Sequence, residues 1–192
     1  MTMRDSAWWR ARGVHVGAGD GTGLTPSTSH PAFVAVAPES FYDEADAFAP
    51  FGSDSGHDAL GRLEDWYMTA AAADDDVPAF LVDMLADYGD LIPAGLWSSE
   101  SGVASAWAAT GDDTFVAAAA QTAIAVAVGQ LKIRGHITSA VRRIGWQAVT
   151  LQRALVEQAG VRYPGWERAD AATAGIDAVV SVLTSAPSPG RN

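Results

Sequence analysis

Apolar residues recur at intervals of three and four from residue 55 almost to the C-terminus, the spacing of helices that bury one face. Leu60, Leu63, Trp66, Tyr67 and Ala70 predict a first helix, entered at Ser55 with Asp58 three residues on as a capping-box-like pair. Asp76 opens a second, with Pro78 in its first turn and Phe80, Leu81, Met84, Leu85 and Tyr88 as its stripe. A shorter helix over 99–109 buries Val103 and Trp107. Asp112 or Asp113 caps the next segment, which runs from Thr114 to Arg134 and is apolar all round, the pattern of a central helix. Gly135 stops it, and Thr138 or Ser139 caps a successor whose seam is Val141, Ile144, Ala148, Leu151 and Leu155. Gly160 ends that helix, YPGW (163–166) turns the chain, and Ile176, Val179, Val180 and Leu183 mark a last one.

The uncharged run 114–131 raises the question of a membrane span. Gln121, Thr122, Gly129 and Gln130 interrupt it and Ala dominates, whereas a span needs about 20 predominantly apolar residues. The run is therefore expected in a protein core.

The N-terminal part reads differently. GAGDGTG (17–23) and TPSTS (25–29) have the composition of a flexible segment. No Lys follows the glycines and no strand–helix context surrounds them, so a phosphate loop is not predicted. Order is expected from His30-Pro31, with short helices or turns over 32–51. FVAVA (33–37) fits a strand or a helical turn equally well. The fold class is mostly α. A single-domain, bundle-like helical core over 29–185 has an irregular N-terminal region, a flexible arm over 1–28 and a flexible tail over 186–192.

Composition narrows the classes. The 192 residues are 48% hydrophobic, enough for a real core. Cysteine is absent, which removes disulfides and thiol chemistry and fits a reducing, cytoplasmic setting. No apolar stretch follows Arg4, Arg10 and Arg12, so no secretory leader is expected.

Charge adds the strongest clue. The net charge is −11, which disfavours nucleic acid and anionic membranes as partners. Residues 39–100 hold fifteen acids and one base, Arg62, whereas 132–168 hold seven bases and two acids. One reading is that the two blocks neutralise each other within the fold. The other is an acidic face that docks a basic partner, with Asp43, Glu44, Asp46, Asp54, Asp58, Glu64 and Asp65 as its contacts. Trp8 and Trp9, adjacent in the arm, either anchor a partner or fold back onto the domain.

Acids concentrate in FYDEADAFAPFGSDSGHDALGRLEDW (41–66). Pro50, Gly52 and Gly56 pin an irregular backbone between Phe41, Phe48 and Phe51. Caps and turns want such residues, and Asp58 sits well near the positive end of a helix dipole. The alternative is a metal site using Asp54, His57 and Asp58 with a carboxylate from 43–46, although DSGHD fits no zinc or EF-hand spacing. Ser53 or Ser55, His57 and Asp54 are too close in sequence for one preorganised triad. No G-x-S-x-G elbow occurs, so no catalytic residue is assigned.

The same run resembles the signature of the YfeS-like family of uncharacterised bacterial proteins. The resemblance begins at SHPAF (29–33), returns at DTFVAAAAQTAIAVAVGQLKIRGHI (113–137) and covers roughly residues 29–159. It implies a small cytoplasmic bacterial protein and transfers no catalytic residue or cofactor. The expectation is thus a non-enzymatic acidic protein-binding domain, such as an immunity- or antitoxin-like inhibitor of a basic toxin. The alternatives are a metal-dependent or hydrolytic enzyme built on 41–66 and a structural or self-associating domain.

Overall fold

The computed structural model describes residues 5–17, 23–69, 72–91, 97 and 113–190. Among these the chain forms seven α-helices and short 3-10 turns, with no strand. The helices are α1 (Ser6–Arg10), α2 (Pro31–Val34), α3 (Asp54–Tyr67), α4 (Val77–Leu85), α5 (Asp113–Arg134), α6 (Ser139–Arg162) and α7 (Ala169–Ser185). The helix expected over 99–109 lies outside the described residues.

The all-apolar pattern of α5 has the predicted consequence. Residues 122–133 are buried without a break, against α3 on one side and α6 and α7 on the other. By length and composition α5 could cross a bilayer, yet 72% of its most apolar stretch is covered by the rest of the protein. Small residues set the approach of its neighbours. A Cβ on Gly129 would lie 3.0 Å from the Leu63 side chain of α3, and one on Gly145 of α6 would lie 3.0 Å from the Ala127 side chain.

Helix ends account for most of the differences from the sequence pattern. The side chain of Ser53, not Ser55, caps α3 by accepting from the Gly56 amide at 3.1 Å. The helix starts early because Gly56 lets its first turn slide under the Pro50 carbonyl, which a Cβ there would meet at 2.2 Å. Gly135 stops α5 in the left-handed region at φ 77°, and Thr138 caps α6. Gly160 does not end α6. It is exposed, a cost of about 1 kcal/mol that the helix absorbs. The helix stops two residues later, because Tyr163 precedes Pro164 and is driven out of helical geometry. FVAVA resolves as the helical turn of α2.

Where composition predicts a flexible arm and tail, residues 5–17 and 186–187 pack on the domain. Asp5 caps α1, Trp9 packs on the core, and Val14 and Val16 are inserted into it at 7% and 2% exposure. Each buried valine is worth about 1.5–3 kcal/mol, which holds residues 14–17 down despite their glycine-rich sequel. At the other end Ala186 is buried and the Pro187 carbonyl accepts from the Ile137 amide at 2.9 Å. The Arg142 guanidinium donates to the carbonyls of Leu183, Ala186 and Pro187, satisfying groups that the end of α7 leaves open.

Candidate functional site

The sequence candidates lie mostly on and before α3, whose two faces have different fates. Successive residues are turned by about 100°, so Asp54, Asp58 and Asp65 fall within about 40° of one another on the outer side. All three are exposed. Leu60, Leu63 and Tyr67 occupy the inner side and are buried. Glu64 shares that inner side. It is therefore buried and cannot serve as a surface contact, contrary to its place among the partner-binding candidates.

Glu64 meets the one lysine of the chain. Lys132, fully buried in α5, donates to Glu64 Oε1 and to the His15 carbonyl at 3.3 Å. The Gly17 amide donates to both Glu64 oxygens, at 3.3 and 3.2 Å. A buried charge pair is tolerable only when its remaining hydrogen-bonding capacity is used in this way. The pair ties α3, α5 and the N-terminal segment together.

A second polar group sits nearby at the end of α5. Asp74 accepts from Arg134 Nε at 3.0 Å and the Tyr67 hydroxyl at 3.0 Å, and lies 2.9 Å from His136 Nε2. Gln130, fully buried, donates to the Tyr67 hydroxyl and the Asp74 carbonyl and accepts from the Thr138 amide. Burial works to raise the Asp74 carboxyl, but Arg134, the Tyr67 hydroxyl and His136 outweigh it and hold the group below the usual carboxylate range. Burial, reinforced by Asp74, pushes the Tyr67 phenol up. The sequence reading missed this network. Its only local signal was polar Gln130 and charged Lys132 inside an apolar helix.

The proposed metal and catalytic residues do not converge. Asp43 and Asp46 close local turns, accepting from the Ala45 and Phe48 amides at 2.9 and 3.0 Å. Asp54 and Asp58 line one cleft with Arg62, Asp87 and Tyr88. His57 lines a different one with Glu44 and Gly17. Among the described residues no group of three His, Asp or Glu comes together as a metal site would require. Trp8 and Trp9 are half-buried, with the Arg12 guanidinium 3.5 Å from the centre of the Trp8 ring.

Among the described residues the basic block forms ion pairs with only two of the acids. Thirteen acids between 39 and 87 have described side chains, and all but Asp46, Glu64 and Asp74 are exposed. Of the thirteen, Glu64 and Asp74 alone form ion pairs with cations of 132–168 among the described residues. Asp87 pairs with Arg62, 3.0 Å away on α3. Three other arginines of 132–168 are engaged elsewhere: Arg142 on the tail carbonyls, Arg153 on Asp177 and Arg168 over the Phe48 ring.

No family model, curated protein or solved structure matches the chain.

Proposed function

We propose that this chain is a non-enzymatic protein-binding domain whose acidic face, centred on the outer stripe of α3, docks a basic protein. The observation that carries the reading is the fate of the acids. Glu39, Asp43, Glu44, Asp54, Asp58, Asp65, Asp75, Asp76, Asp83 and Asp87 are exposed, and no cation of 132–168 pairs with them among the described residues. Concentrated negative charge speeds encounter with a cationic partner and rejects anionic ones.

An immunity- or antitoxin-like inhibitor of a basic toxin is the concrete form of this proposal. Enzymes that act on nucleic acids present positive surfaces, and an inhibitor covering one must present the opposite sign. The likeness of residues 41–66 to the YfeS-like family and a cytoplasmic setting belong to the same proposal. The enzyme alternative loses ground because Asp54 and Asp58 face one cleft and His57 another.

The test is affinity purification from the native host with the wild-type chain and with Asp54→Lys/Asp58→Lys/Asp65→Lys. A cognate basic protein should be retained by the wild type, released by salt and lost with the variant. Equal retention by both chains would refute the acidic-face reading.

A further inference from the structure

We propose that His15 and His30, packed ring against ring where the N-terminal segment crosses the end of α5, form an acid-released latch that holds residues 13–17 on the core at neutral pH. A helix leaves its last carbonyls without intrahelical partners. Here the His30 amide donates to the Lys132 carbonyl at 2.8 Å and the His15 amide to the Ile133 carbonyl at 3.0 Å. Both imidazoles are thereby drawn to one spot, with ring centres 4.7 Å apart in an edge-to-face arrangement. Gly135 makes room, since a Cβ there would lie 2.1 Å from the His30 ring.

That spot is ringed by basic side chains. His15 faces Arg10 from α1, His30 from the segment before α2 and Lys132 from α5. His30 faces Arg134 and His136 at the end of α5. The neighbouring carboxylates are engaged, Glu64 with Lys132 and Asp74 with Arg134 and His136. His15 Nδ1 is buried with no hydrogen-bond partner among the described residues.

Burial, then His30, Arg10 and Lys132, lower the His15 imidazole to about 4, against a weaker opposite pull from the Ser29 backbone. His30 is lowered by burial, then by His136 and Arg134. A released segment would return the His15 ring to water and to ordinary histidine behaviour. The released form therefore binds more protons, and docking is lost as pH falls from the ordinary value of 6.5 towards 4. Release frees Val14 and Val16 from the core and removes the His15 carbonyl and Gly17 amide from the Lys132–Glu64 pair.

The test is hydrogen exchange on the full chain, with the His15 and Gly17 amides referenced to those of α6. Their relative protection should fall at least about ten-fold between about pH 7.5 and pH 5 in the wild type and stay nearly flat in His15→Gln. An unchanged wild-type ratio, or an equal fall in the variant, overturns the latch. If His15→Gln is already released at neutral pH, an NMR titration of the wild-type histidines decides. His15 must then titrate well below the ordinary histidine value of 6.5, and a His15 that titrates near 6.5 overturns the proposal.

Discussion

The outer and inner faces of α3 carry the same kind of side chain to opposite ends. Asp58 stands in water within reach of solvent counterions, and Glu64, less than two turns on, lies inside against Lys132. Six residues of helix separate a charge that can be spent on a partner from one that is spent on the fold. Helical phase alone makes the difference, because residue 64 falls on the side of Leu60, Leu63 and Tyr67. A carboxylate in an acidic block is thus not evidence of a binding contact until its face is known.

The widest separation between the two faces should come from Lys132→Met. It leaves Glu64 buried and uncompensated, at a cost of about 3–5 kcal/mol in urea denaturation. The double variant Glu64→Leu/Lys132→Met should recover most of that loss, since two apolar side chains of similar volume replace both charges. A double variant no more stable than the single would show that the pair matters for something other than charge balance.

Gly135→Ala comes next. The left-handed backbone alone costs about 1–2 kcal/mol for an L side chain, and the collision with His30 adds to it. Thermal unfolding measures the sum, and His30→Ala in the same background should return part of it.

Asp74→Asn should cost about 1–3 kcal/mol, the usual loss when a satisfied charged acceptor is neutralised in a partly buried network. Because the folded Asp74 carboxyl is held below its ordinary value of 3.8, the unfolded chain binds its proton more readily. The stability it supplies is present above that value and disappears as pH falls through the folded one. Denaturation followed from neutral pH to about pH 3 should show the loss in the wild type and a shallower slope in Asp74→Asn.

The smallest stability effect belongs to the outer stripe. Asp54→Asn, Asp58→Asn and Asp65→Asn should each change stability by no more than about 0.5 kcal/mol, as surface substitutions do. A larger loss at any of them would mean that the outer face also serves the fold.

Periodicity was enough to find α3, α4, α5, α6 and α7, because each has a face that must leave water or, in α5, no polar face at all. It misplaced the start of α3 and the end of α6, where backbone geometry around Gly56 and Pro164 decides. It also undervalued residues 14–17, since two valines among glycines carry no helical signal yet fill the core. The outer acids were legible from charge density. The partners of Glu64 and Asp74 were not, because Lys132, Arg134 and His136 are some sixty residues away in sequence and only the packing of α5 on α3 brings them close.

The most direct measurement is the association rate of the purified chain with its captured basic partner as a function of ionic strength. The on-rate should fall by about ten-fold or more between roughly 0.05 and 0.5 M salt while the off-rate changes little, and Asp54→Lys/Asp58→Lys/Asp65→Lys should slow association at low salt and flatten that dependence. An on-rate indifferent to salt, or equal in the wild type and the charge-reversed chain, would contradict the account.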